Sequence, residues 1–471
     1  MEKEKKIPDL RENKMGTMPL GKLLFNMALP LVLSMLVQAL YNVVDSVYVA
    51  GYSQNAVTAL SLAFPIQNLQ IGFATGAAVG MNSLLSKSLG EGNQERANKA
   101  AGNGIFLTLV FIALFMLFGF FGAGAYYNMQ NISAETAKAG TDYTSICCIY
   151  TAGMFIGILC ERLLQASGKT IYTMFTQGTG ALVNIILDPL FIYGYEPLHI
   201  PEMGAAGAAV ATVIGQWVGA VMGIIFNLTK NTDVQFKLKY LRPSREIMGK
   251  ILAVGVPSII MMAIGSVMNF GMNQIFLGFE NIGETASGVF GIYFKLQSFF
   301  FMPLFGINNA AISILAYNYG ACKPKRITGT LKRTVGTAMI IMLLGLAVFQ
   351  IFPDVLMGFF STSADAADGT FVEMGISALR IISLMFPMAA IGIALGGAAF
   401  PAMGNGLYST ITSLCRQLIV LLPAAYLLSL TDDVHAVWWA FPIAEVISML
   451  VTVILYGKVY RNKIKPMFTN E

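Results

Sequence analysis

The sequence predicts an all-α integral membrane protein with twelve transmembrane helices. They form two six-helix bundles related by a pseudo-two-fold axis along the membrane normal. Three observations predict this. Charged residues make up 12% of the 471 and hydrophobic residues 56%, whereas a soluble domain is about 25% charged. So few charges cannot cover the surface of a water-soluble particle of this size, and the mean hydropathy of +0.66 agrees. Apolar runs long enough to cross the roughly 30 Å hydrocarbon layer recur between charged or turn-rich breaks. Finally, the second half of the chain repeats the first.

The spans, in order, are 24–49, 57–86, 101–124, 143–166, 171–194, 205–228, 251–278, 286–316, 334–353, 374–403, 408–430 and 436–457. Their even number puts both termini on one side. Basic residues choose that side. The connections 87–100, 229–250 and 317–333 are rich in Lys and Arg, and the tail adds Lys458, Arg461, Lys463 and Lys465. The opposite connections carry Lys138 and a series of acids, among them Glu196, Glu202, Glu280, Glu284, Asp432 and Asp433. The positive-inside rule then places both termini in the cytosol. Residues 1–23 read as a polar cytosolic tail without a signal-peptide pattern.

Pro257 follows Pro30 by 227 residues, and the same offset pairs Asn42 with Asn269, Gly51 with Gly278, Asn82 with Asn309 and Ser86 with Ser313. Residues 165–172 match 401–408 at an offset of 236, a difference of ordinary loop length. Each half holds an even number of spans, so the halves share one orientation, as in parallel-repeat transporters. The expected organisation is a tail at 1–23, a first bundle at 24–228, a basic linker at 229–250, a second bundle at 251–457 and a cytosolic tail at 458–471. Duplicated bundles favour alternating access around a site between them, an argument from architecture alone.

Several chemistries have little to work with. A net charge of +5, evenly spread, does not suggest nucleic-acid binding. Five cysteines show neither zinc-site nor disulfide spacing, and the two histidines lie far apart. No nucleophile–base pair or metal set occurs within the spans, so neither an enzyme nor a bound cofactor is expected. Ser167-Gly168-Lys169-Thr170 resembles the end of a P-loop, but Leu163 stands where that motif needs glycine.

The informative residues are acids inside spans, because an acid at mid-helix costs roughly 2.5–3.5 kcal/mol on insertion scales. Asp45 sits in the first span and Asp188 in the fifth. Asn184 is one turn from Asp188 on the same face, and Pro189 frees the Ile185 carbonyl. At 1.5 Å per residue, Asp45, Asp188 and Thr212 lie roughly 7–11 Å below the outer surface. Asn184 is one turn deeper, and a carboxylate, an amide and a freed carbonyl make a ligand set for a hard cation. The four residues are read as a shared cation or proton site, the alternative being a private hydrogen bond from each acid to a neighbouring helix. Lys295, Arg380, Arg416 and Glu445 are further intramembrane charges. Lys295 lies near mid-span, where it either lines the cavity or makes a structural ion pair, while Arg380 and Arg416 are expected to snorkel or pair with neighbours.

These features together resemble the multidrug and toxic compound extrusion (MATE) transporters, in their MepA-like branch. The resemblance rests on the span from Pro30 to Asp45, the loop Gly90-Glu91-Gly92-Asn93, the motif Asn184 to Phe191 and the Gly-Ala repeats at 204–209. It implies two bundles around a V-shaped cavity and drug export driven by Na⁺ or H⁺. Its first-bundle cation site falls here on Asp45, Asn184, Asp188 and Thr212. Some members also carry acids in the seventh and tenth helices. Here the seventh offers Asn269, Asn273 and Gln274, and the tenth has Glu373 only at its outer edge. Aligning the halves puts Met272 opposite Asp45, Val420 opposite Asn184 and Ala424 opposite Asp188. Ion binding is therefore expected in the first bundle alone. The expected substrate cavity joins Tyr41 and Asn42 to Asn269, Asn273 and Lys295.

The expected function is cation-coupled antiport of organic, often cationic, compounds by a monomer in the lipid bilayer. A lipid-linked saccharide flippase of the same broader superfamily is the rival, and it would show a more basic central cavity.

Overall fold

The computed structural model describes residues 13–52, 54–130, 132–280, 282–358 and 370–469. The helices are α1 (Leu20–Tyr52), α2 (Gln54–Gly90), α3 (Gln94–Phe121), α4 (Ala134–Ile149 with Ala152–Ala166), α5 (Thr170–Ile192) and α6 (Ala205–Lys230). The second series is α7 (Arg245–Leu277), α8 (Gly283–Gly320), α9 (Pro324–Ile351), α10 (Thr370–Ser383 with Phe386–Ala402), α11 (Gly406–Ser429) and α12 (Val434–Phe468). Among the described residues, β structure is limited to one isolated bridge between Tyr195 and Ile200.

Most helices run past their apolar runs, because helix geometry continues into the polar ends where water satisfies the last backbone groups. Two spans expected to be single helices are broken. The α4 halves meet at 45° and the α10 halves at 46°. At the α4 bend, Thr151 and Cys148 are held from α2 by the Gln70 amide, at 3.2 and 3.4 Å. At the α10 bend, Leu384 and Met385 make tight i−3 backbone bonds, and Pro387 supplies no N–H to continue the helix. In the middle of α2, Gln67, Asn68 and Gln70 all line a cavity.

The helices form two bundles, α1–α6 and α7–α12. Across the interface α1 packs on α8 and α2 packs on α7. A two-fold axis that exchanges α1 with α7 and α2 with α8 maps one of these contacts onto the other. The bundles meet through the halves nearest the chain termini, where α2 and α8 are buried over long stretches. Glycine sets the spacing there. A Cβ on Gly80 would sit 2.1 Å from the Ile251 carbonyl oxygen, and one on Gly90 would sit 2.0 Å from that of Tyr317. Backbones so close exclude any larger side chain.

A short helix, Lys14–Thr17, straps the same end. Its flanking Asn13 donates to the Ser167 carbonyl and Asp233 of the first half. The Met15 carbonyl accepts from Asn318 and Arg326 of the second half, each at 3.0 Å. Met15 itself is fully buried. Burial pushes the Lys14 ammonium below its ordinary pKa, Lys169 adds to this and Asp233 opposes it. Gly168 of the P-loop-like stretch takes a left-handed φ of +75° just past the end of α4, and Lys169 pairs with Asp233 at 3.8 Å. That stretch is a helix stop.

Candidate functional site

α5 and α6 cross closely because both carry glycine. A Cβ on Gly215 would meet the Gly180 carbonyl oxygen at 2.6 Å, and one on Gly180 would meet that of Gly215 at 2.9 Å. This approach brings Thr212 of α6 against Asn184 of α5. The Asn184 amide donates to Asp188 Oδ1 at 3.2 Å and to Thr212 Oγ1 at 3.3 Å. Past Pro189, the backbone N–H groups of Met203 and Gly204 bond the Phe191 and Ile192 carbonyls, which ties the end of α5 to the start of α6.

The Asn184 amide donates to both neighbours, whereas three oxygens of the cluster accept nothing. Asp45 Oδ1, Asn184 Oδ1 and Asp188 Oδ2 are buried and make no hydrogen bond among the described residues. Asp188 is fully buried and Asn184 nearly so. An unpaired buried acceptor costs about 1–3 kcal/mol, more if charged. Three oxygens of this kind from α1 and α5 fit a cation or protons.

Two cavities reach the cluster. One of about 170 Å³ is lined by Tyr41, Glu161, Gln177, Asn184 and Thr212. Another of about 660 Å³ is lined by Tyr41, Asp45, Gln67, Tyr143 and Thr212. Gln38, Tyr41, Thr212 and Gln216 line both, so Asp45 and Asn184 face adjoining spaces.

The expected substrate residues are distributed differently. Tyr41 lines the first-bundle cavities, whereas Asn269 lines a second-bundle cavity of about 310 Å³ and donates to the Gly265 carbonyl. Asn273 accepts a 2.7 Å bond from Ser287. Lys295 is exposed on α8. The Asn42 side chain lies outside the described residues. Opposite Asp45 in the repeat, Met272 is fully buried in the apolar core of the second bundle, and Val420 and Ala424 pack against that core.

Sequence reasoning missed Glu161 and Arg162, adjacent charges inside the fourth span. Glu161 accepts a 2.8 Å bond from Gln177 in the first-bundle cavity. Arg162 is buried and donates to Gln165 and, across the bundle interface, to Asn309 at 2.9 Å. Their signal was present: two charges in an otherwise apolar run.

The MatE family model matches residues 30–190 and again 257–427, two copies that begin at the repeat-related prolines. The chain belongs to the MatE family. Similar curated proteins include the multidrug export protein MepA of Staphylococcus haemolyticus, 25% identical over 439 residues and 93% of each chain. MepA of Staphylococcus aureus strain NCTC 8325 is 22% identical over 443 residues, again 93% of each. Among solved structures, a MATE transporter in complex with MaL6 superposes with a TM-score of 0.87 at 24% identity, covering 98% of both chains. A MOP-superfamily transporter from Pyrococcus furiosus, described as having a binding pocket of reverse polarity, gives 0.86 at 24% identity over 97% of this chain and 98% of that one. These likenesses show a MATE fold of twelve helices in two bundles, the fold the sequence predicts.

Proposed function

We propose that this MATE-family transporter is a cation-coupled antiporter that exports organic, often cationic, compounds by alternating access. The observation that carries the proposal is the set of three unpartnered buried oxygens on Asp45, Asn184 and Asp188. A Na⁺ ion or protons entering the cluster would supply the missing partners, with Thr212 holding the Asn184 amide in place. The coupling ion changes the equilibrium between states only through its differential affinity for them. The two acids sit on α1 and α5, and α1 also packs on α8 of the other bundle. A change at Asp45 can therefore alter how the bundles meet.

The organisation proposed from the sequence goes with this reading: a bundle at 24–228, a linker at 229–250, a bundle at 251–457 and short tails at 1–23 and 458–471. The termini face the cytoplasm, and the bundles, closed at the terminus-bearing end, open outward. The working unit is a monomer. The names of the staphylococcal relatives support drug-like substrates.

One observation favours a second reading. Arg162 and Arg416 line a cavity of about 210 Å³ between the bundles, the basic lining that a lipid-linked saccharide flippase would use. Arg162 is held by Asn309 and the Arg416 charge is offset by Glu445 3.8 Å away, so the lining is not strongly basic and export of organic cations remains the better reading.

Uptake of a fluorescent organic cation into inverted vesicles, under separately imposed Na⁺ and H⁺ gradients, tests the proposal. Uptake driven by one gradient and lost in Asp188→Asn supports it. No uptake under either gradient, with lipid-linked saccharide flipping in reconstituted liposomes, replaces it with the second reading.

A further inference from the structure

We propose that the second bundle holds its own organic-cation site, in which the Glu445 carboxylate receives an aromatic monocation and Arg416 is the counterion that the cation displaces. This rests on the antiport reading and assigns its substrate a place apart from the ion cluster. Glu445 lies on α12 and is 3% exposed. Its Oε1 makes no hydrogen bond among the described residues. A buried charge needs a partner with good geometry, and the nearest cation gives a poor one. Arg416 Nη1 stands 3.8 Å from that oxygen, beyond hydrogen-bond reach, with its side chain 25% exposed. Arg416 is a loose, partly exposed counterion.

The room around Glu445 suits a ligand. The cavity of about 310 Å³ is walled by Phe294 and Phe301 of α8, Phe441 of α12 and Met268 of α7. Cavities of this size and apolar lining, with a few convergent polar groups, are typical of small-molecule sites. Aromatic faces attract a desolvated cation, and methionine adapts to irregular shapes. Gln297 Oε1 is a second buried acceptor without a partner, and it lines the same cavity. Gly392 keeps space beside the carboxylate, since a Cβ there would stand 3.2 Å from Glu445 Oε1.

Arg416 also controls the way in. Arg416, Phe305 and Ile393 line both this cavity and the one between the bundles. Arg416 sits on a π-helical turn, Cys415–Val420, in the middle of α11. Such turns are frequent at functional sites. Swinging Arg416 toward the inter-bundle cavity frees the carboxylate and opens the passage in one movement.

The test is ethidium binding to the detergent-purified full chain, followed by fluorescence anisotropy. Glu445→Gln should weaken binding at least tenfold, and Arg416→Gln should tighten it several-fold. If the pair were purely structural, both variants would weaken binding together, and that result overturns the proposal. Unchanged affinity in Glu445→Gln also overturns it. Ser298→Cys keeps the ion pair and lines the cavity. Its alkylation, read at that peptide by mass spectrometry, should be slowed by ethidium whether or not the charge variants fold, and no slowing at saturation overturns the site. Saturable ethidium binding that ignores Glu445 leaves the antiport reading standing. No saturable binding by the wild type overturns both.

Discussion

Ser313 donates a 3.1 Å hydrogen bond to Asn82 across the bundle interface. The repeat makes Ser86 the counterpart of Ser313 and Asn309 the counterpart of Asn82. Perfect two-fold symmetry would therefore join Ser86 to Asn309. Instead Ser86 donates to Asn82 at 3.1 Å and to the Ala166 carbonyl, and Asn309 accepts from Arg162. The symmetry breaks where a buried guanidinium has taken one of the two matching positions.

This relationship gives a stability prediction. Ser313→Ala removes one neutral hydrogen bond and should cost about 1 kcal/mol. Asn82→Ala strands the buried Ser313 hydroxyl and should cost about 1–3 kcal/mol. Thermal unfolding of the two variants in one detergent checks the order, and a larger loss in Ser313→Ala would contradict this account of the interface.

Closure at the terminus-bearing end should depend on Gly80. A methyl group there would lie 2.1 Å from the Ile251 oxygen, so Gly80→Ala forces α2 and α7 apart. Transport should fall severely while membrane insertion persists. Gly249→Ala, in α7 with open space around its Cβ, should leave transport unchanged. Vesicle uptake by both variants, normalised to expression, is the measurement.

Thr212 should act by holding Asn184. Thr212→Val removes the oxygen that accepts the amide and should weaken cation affinity about tenfold, which lowers cation-dependent stabilisation by roughly 1.4 kcal/mol. Thr212→Ser keeps the oxygen and should restore most of it. Thermal-shift titrations with Na⁺, and with pH if Na⁺ gives no shift, compare the three proteins.

Ion binding should reside in the first bundle. A ligand that binds only the folded state stabilises it by about 2.7 kcal/mol at a hundredfold excess over Kd. Asp45→Asn and Asp188→Asn should each abolish that gain for the coupling ion. The Asn269→Ala, Asn273→Ala double variant should keep it. Loss in the double variant, with retention in the aspartate variants, would move the site to the second bundle.

The sequence by itself determined the solvent, the helices and the repeat. A chain with few charges and twelve apolar runs has to satisfy its backbone inside helices when it enters lipid. Prolines at 30 and 257 marked the same point in both halves. Asn184 and Asp188 were legible as a pair because one helical turn fixes their separation. The three glycine crossings were not legible. Closeness between helices depends on which backbones meet, and Gly80 with Ile251, or Gly180 with Gly215, are partners only in three dimensions. The same holds for the bends in α4 and α10, for Arg162 on Asn309, and for the Glu445–Arg416 pair. A charge in an apolar run reveals its cost in one dimension. Its partner lies on another helix, and only packing selects it.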